Sequence, residues 1–165
     1  MKIFSIAGWS GSGKTLLITR LIEDFKADGH RVVAVKSTHA GYALQPEGKD
    51  TARFLRAGAQ EVYLMTETEL LRMTPLTSAD DLLAELRARL EPDDIVLLEG
   101  LVRPGIPVIE VQAPELKKPL KSRPEDLAAV VSAAANAHGR PSFHPDDIAG
   151  IKAFMEAYHE KQDHA

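Results

Sequence analysis

The chain has 165 residues, of which 44% are hydrophobic, a net charge of −4 and no cysteine. That length and apolar content suit a single domain with a sizeable core, expected to span residues 1–165. The mixed charges exclude the basic footprint of a nucleic-acid or anionic-membrane binder, and the missing thiols exclude disulfides and Cys-based metal sites. With neither a membrane-length apolar run nor a signal-peptide layout, a cytoplasmic protein is expected.

In chain order, Met1 to Ala7 reads as a short buried strand, and Gly8-Trp9-Ser10-Gly11-Ser12-Gly13-Lys14-Thr15 fits the G-x-x-x-x-G-K-[ST] pattern. Glycines are needed because the backbone must wrap phosphate oxygens with several N–H groups turned inward. Lys14 supplies charge for the β- and γ-phosphates, and the Thr15 hydroxyl is placed for magnesium. A helix from Lys14 to about Ala27 then aims its N-terminal dipole at the same anion. Gly8, Ser10, Gly11, Ser12, Gly13, Lys14, Thr15 and Leu16 form the candidate nucleotide-binding set. Leu16, Leu17, Leu21, Ile22 and Phe25 recur at helical spacing, and Gly29 marks the helix's end.

Arg31 to Lys36 is β-branched and short, a second strand parallel to the first across a right-handed crossover. Ser37 to Gly48 reads as a loop at the carboxyl end of that strand, the ligand side of an open α/β sheet. Lys49 to Ala57 is helix-compatible, Glu61 to Thr66 is a third strand, and a short apolar segment follows, closed by Pro75. Ser78 caps a helix whose Leu82, Leu83, Leu86 and Leu90 keep one face. In Asp94-Ile95-Val96-Leu97-Leu98-Glu99-Gly100, four consecutive apolar residues argue for a strand covered on both faces.

Glu99 stands where that strand emerges beside the loop, the place of a Walker B acid that holds magnesium directly or through water. Asp93 and Asp94 belong to the strand's far end as turn or cap residues. Beyond Gly100 the prolines 104, 107, 114, 119 and 124 punctuate one alternating run, Ile106 to Gln112, which predicts an edge or hairpin strand free to pair with another subunit. Asp126 to Ser132 is expected to be the last core strand, and Ala133 to Ser142 a small-residue loop of the kind that borders a base. Pro145 is expected at the first position of a C-terminal helix carrying Ile148, Ile151, Phe154, Met155 and Tyr158. On residue type alone the six histidines, His39 included, read as solvated, and Asp50 as a helix-start acid.

Five segments together narrow the field: Ala7 to Thr15, then Val35-Lys36-Ser37-Thr38-His39, Gly48-Lys49-Asp50-Thr51, Ala57-Gly58-Ala59 and Leu97-Leu98-Glu99-Gly100. In this order and spacing the chain resembles the molybdopterin-guanine dinucleotide biosynthesis protein B family, GTP-binding accessory proteins of molybdenum cofactor maturation. The resemblance implies a P-loop NTPase fold, three-layer α/β/α with a mostly parallel central sheet and an added edge strand or hairpin. It also implies a homodimer, Mg²⁺ and GTP as ligands, and assistance to a partner guanylyltransferase, protein A of the same pathway, that attaches GMP to molybdopterin. Lys14, Asp50 and Glu99 become the implied catalytic groups, Thr15, Asp50 and Glu99 the implied metal ligands, and Lys36 and His39 further active-site groups. The chain departs from the family pattern at Ser37, Ala40, Leu101, Val102 and Ala133, positions that bear on base choice and partner contacts.

The leading expectation is therefore a GTP-binding accessory protein with slow hydrolysis, since neither an arginine finger nor a water-positioning Gln is identifiable. A small-metabolite or nucleoside kinase would use the same loop, but Arg103, Arg123 and Arg140 are isolated as lid candidates. A metallochaperone NTPase is disfavoured by the lack of cysteine and of any histidine tract.

Overall fold

The chain is described by a computed structural model over residues 1–38, 50–75, 78–134 and 139–158. It forms two compact units, one comprising residues 1–37 with those from 91 onward, the other lying between residues 38 and 90. The first unit holds strands β1 (Lys2–Ala7), β2 (Val32–Lys36), β5 (Ile95–Glu99), β6 (Val108–Val111), β7 (Leu127–Val131) and β8 (Ser142–Phe143), with helices α1 (Lys14–Ala27) and α4 (Ile148–Ala157). The second holds α2 (Asp50–Arg56), the hairpin β3 (Val62–Met65) and β4 (Leu70–Met73), and α3 (Ala79–Arg89).

In the first unit the six strands form one sheet in the order β2-β5-β1-β6-β7-β8, and every neighbouring pair is parallel. Parallel order follows from the crossovers, and it brings the carboxyl ends of all the strands to one edge. On one sheet face Phe4, Ile6, Leu97, Ile109 and Val131 pack with Leu17, Leu21 and Phe25 of α1 and with Ile151 and Met155 of α4. Each such side chain contributes about 1.5–3 kcal/mol when fully buried. Residues of the opposite face, Val96, Leu98, Val108 and Val130, are also fully buried, which accounts for the unbroken apolar run in β5.

Helix α1 has the expected bounds. It closes with a Schellman pair, the N–H of Gly29 donating to Lys26 O and that of His30 to Phe25 O. Leu16, expected on the apolar face, is instead 60% exposed, and Ile18, outside the expected set, is buried in the core. At the carboxyl end of α4, the Lys2 ammonium donates to the carbonyls of Met155, Glu156 and Tyr158, a cation at the negative pole of the helix. In the second unit Ser78 caps α3 by accepting from the Asp81 N–H at 3.2 Å. Arg72 of β4 bonds both Glu61 and Glu85 and is held above the ordinary arginine range by the two carboxylates.

The α/β class, the mostly parallel central sheet and the added hairpin are all present, but the hairpin is elsewhere than expected. Residues 106–112 hold β6, which lies inside the sheet between β1 and β7 and is buried along its whole length. Its alternation comes from Glu110, an acid that is 1% exposed because both its oxygens accept backbone N–H groups, so polar character there does not signal solvent. The extra pair is instead β3 with β4, so the third strand does not join the main sheet and the apolar segment before Pro75 is its partner. Nor is β7 the last strand, since the two residues of β8 extend the sheet beside it. Pro145 and Asp146 form a turn ahead of α4, and the helix starts after Asp147, whose Oδ1 accepts from the Gly150 N–H at 3.0 Å.

Candidate functional site

The edge formed by the carboxyl ends of the strands carries the loop between β1 and α1. Gly8 opens it at φ 139°, where an added Cβ would lie 2.3 Å from the Val111 carbonyl oxygen, so the loop starts in direct backbone contact with the end of β6. Gly13 closes it in the left-handed region, φ 96°, as the N-cap of α1. The loop and the first turn of α1, together with Lys36 and Glu99, line an open cavity of about 390 Å³. Ser10, Gly11, Gly13, Lys14, Thr15 and Leu16 all face this space, which explains the exposure of Leu16. Gly8 and Ser12 do not: Gly8 packs on β6, and the Ser12 hydroxyl is buried without a partner among the described residues.

Register sets the acidic side of the cavity. Glu99 pairs across the sheet with Lys36 of β2 and with Ile6 of β1, at the last position of its strand. Its Oε1 accepts from the Lys36 ammonium at 3.0 Å and from the Thr15 hydroxyl at 3.0 Å. A hydroxyl and a carboxylate in contact at a helix N-terminus are hard oxygen donors, a set that fits Mg²⁺ sharing its remaining positions with phosphate and water. The Lys14 ammonium folds over the loop and donates to the carbonyls of Gly8 at 3.0 Å and Trp9 at 2.8 Å. Burial pushes Lys14 below the ordinary lysine range; Glu99 and Glu110 pull it up, while the like charges of Lys121 and Lys36 push it down.

The structure thus joins Lys14, Thr15, Lys36 and Glu99 around one cavity. Asp50 stands at the start of α2 in the second unit, exposed and 3.7 Å from Arg53, and His39 lies outside the described residues. No group of three or more His, Cys, Asp or Glu side chains gathers in metal-binding geometry among the described residues. No helix there is long and apolar enough to cross a membrane.

The other flank of the loop carries no sequence motif. The Trp9 indole N–H donates to the Pro119 carbonyl at 2.8 Å, and the Lys118 and Lys121 ammonium groups sit 4.5 and 5.9 Å from the Trp9 ring centroid. Glu110 accepts the N–H of Lys121 at 2.5 Å and that of Ser122 at 2.7 Å. The available signal was a lone acid inside an otherwise apolar strand.

The family model described as molybdopterin guanine dinucleotide synthesis protein B matches residues 3–133. The chain belongs to this family. With the family comes a coarse role, a protein of molybdopterin guanine dinucleotide synthesis. Among individual relatives, the molybdopterin-guanine dinucleotide biosynthesis adapter protein of Haemophilus influenzae is 35% identical over 132 residues, covering 79% of this chain and 74% of that one. The adapter protein of Escherichia coli is 27% identical over 169 residues, covering 97% of this chain and 94% of that one. The crystal structure of Bacillus subtilis MobB superposes with a TM-score of 0.73 at 26% identity, covering 94% of this chain and 97% of that chain.

Proposed function

We propose that the protein is an adapter of molybdopterin guanine dinucleotide synthesis that binds Mg²⁺ and GTP at the β1–α1 loop and hydrolyses GTP slowly. The observation that carries this is the meeting of Lys14, Thr15, Lys36 and Glu99 at one cavity whose floor is the glycine-rich loop. In this reading the inward-facing N–H groups and Lys14 bind the polyphosphate, while Thr15 and Glu99 hold the metal and Lys36 keeps Glu99 oriented. Magnesium would supply charge neutralisation and fix the phosphate oxygens. GTP rather than ATP, molybdopterin as the downstream substrate, a guanylyltransferase partner and a cytoplasmic site of action all follow the family resemblance. Asp50 and His39 enter on the same ground.

A homodimer belongs to the same proposal. Its support is no longer the strand at residues 106–112 but the β3–β4 hairpin, where Met65 and Leu70 face each other across the register and are 79% and 65% exposed. Loss of a dimer in Met65→Glu with Leu70→Lys, followed by light scattering, is the expected result.

The central test is a titration with GTP, ATP and molybdopterin, with and without Mg²⁺, following phosphate release. Selective Mg²⁺-dependent GTP binding with slow release is expected, and Lys14→Ala should weaken it about 100-fold. Tight ATP binding with rapid transfer to a small acceptor would make the protein a kinase instead.

A further inference from the structure

We propose that Lys121 is a second phosphate-binding lysine of this site, delivered by residues 112–122 to the β6 flank of the loop, across β1 from Lys36. This rests on the nucleotide-binding reading above and concerns the polyphosphate of that same nucleotide.

Residues 112–122 leave the carboxyl end of β6 and pass beside the glycine-rich loop as a strap tied down at several points. Glu110 takes the N–H groups of Lys121 and Ser122 on its two oxygens. Trp9, inside the loop motif itself, donates to Pro119 O at 2.8 Å, and the Gln112 side chain donates to Lys118 O at 3.5 Å. A fully buried carboxylate is costly unless its oxygens are satisfied. Here both are used to fix one stretch of backbone, and one of the two amides is that of Lys121. The acid therefore sets the position from which the Lys121 side chain extends.

That side chain and Lys118 rest against the Trp9 ring, and among the described residues neither ammonium is in an ion pair. A cation held by an aromatic face is weakly bound and exchanges readily for an anion. The cavity proposed for the phosphates adjoins Trp9, whose carbonyl accepts from the Lys14 ammonium at 2.8 Å and whose neighbour Ser10 is part of the lining. In sheet order Lys36 and Glu99 belong to β2 and β5 on one side of β1, and the strap to β6 on the other. Three ammonium groups thus surround the loop, only one of them paired with Glu99, and a polyphosphate relieves their mutual repulsion. Nucleotide binding draws Lys121 from the indole toward phosphate and couples the strap to occupancy of the site.

Trp9 is the sole tryptophan, so its fluorescence reads the event directly. The experiment titrates the full chain with Mg²⁺·GTP and Mg²⁺·GDP, alongside Lys121→Gln, Lys121→Arg and Lys26→Gln, the last an exposed lysine of α1. Wild type should change its emission on binding. Lys121→Gln should weaken GTP about 10-fold and lessen its salt dependence, Lys121→Arg should restore most of the affinity, and Lys26→Gln should bind as wild type. Equal affinity of Lys121→Gln and wild type, or an equal loss in Lys26→Gln, overturns the role given to Lys121. A wild-type chain that binds no nucleotide overturns instead the reading of the loop on which it rests.

Discussion

The two strands that flank β1 each carry one glutamate near the same sheet edge, and the two acids have opposite surroundings. Glu99 ends β5 with its side chain 15% exposed, and its partners are side chains, the Thr15 hydroxyl and the Lys36 ammonium, that can exchange it for a metal. Glu110 lies within β6 at 1% exposure, and its partners are backbone amides that hold a strap in place. Exchangeable side-chain partners at a cavity suit a group that changes ligands, whereas backbone partners in the interior suit one that must not move. In the proposed function the first acid would serve chemistry, while the second serves geometry, and a strand-end position in the sequence points only to the first.

The largest expected effect falls on the interior member of this pair. Glu110→Ala leaves two backbone N–H groups without their acceptor and should cost about 3 kcal/mol of stability in urea unfolding. Glu99→Ala should leave stability within about 0.5 kcal/mol, because its contacts are at the surface of a cavity. Its effect should be on Mg²⁺: the gain in nucleotide affinity from adding the metal should shrink about 10-fold in calorimetric titrations. The contrast breaks if Glu110→Ala unfolds like wild type while Glu99→Ala does not. Trp9→Phe keeps a ring for the lysines but removes the donor to Pro119 O, and a loss of about 1 kcal/mol in unfolding free energy is expected.

The last expected effect is on pH. Phosphate favours the charged form of Lys14, so binding takes up a proton whenever the free lysine is neutral. Because burial holds the free Lys14 below the ordinary lysine range, affinity is full below that lowered pKa. It should then fall, by up to about tenfold per pH unit, at a pH where an unperturbed lysine would still be charged. Binding measured from neutral to alkaline pH, with Lys14→Arg as the reference, checks the direction.

Local signals carried much of the fold and half of the site. The period of Leu17, Leu21 and Phe25 and the Gly29 stop give α1 its observed limits, because a helix end needs only neighbours in sequence. Four adjacent apolar residues in β5 declare burial on both faces. The loop motif gives Lys14 and Thr15, and a strand-end acid gives Glu99, since each is defined by its position within one element. What failed was reading solvent from polarity. In β6, Glu110 and the flanking Pro107 imitate an edge strand, but whether a buried acid is satisfied depends on amides 11 and 12 residues further along the chain.

By itself the sequence determined the elements whose causes are local: the glycine-rich turn, its helix, the buried strand with its terminal acid, and the family to which these motifs belong. Tertiary structure decided which strands are neighbours, and with that which charges meet. Lys36 reaches Glu99 because β2 pairs with β5, and Lys121 stands beside Trp9 because β6, not β5, takes the other side of β1. Strand order is fixed by long-range packing and hydrogen bonding of backbone groups, which leave no periodic trace in the residues they join.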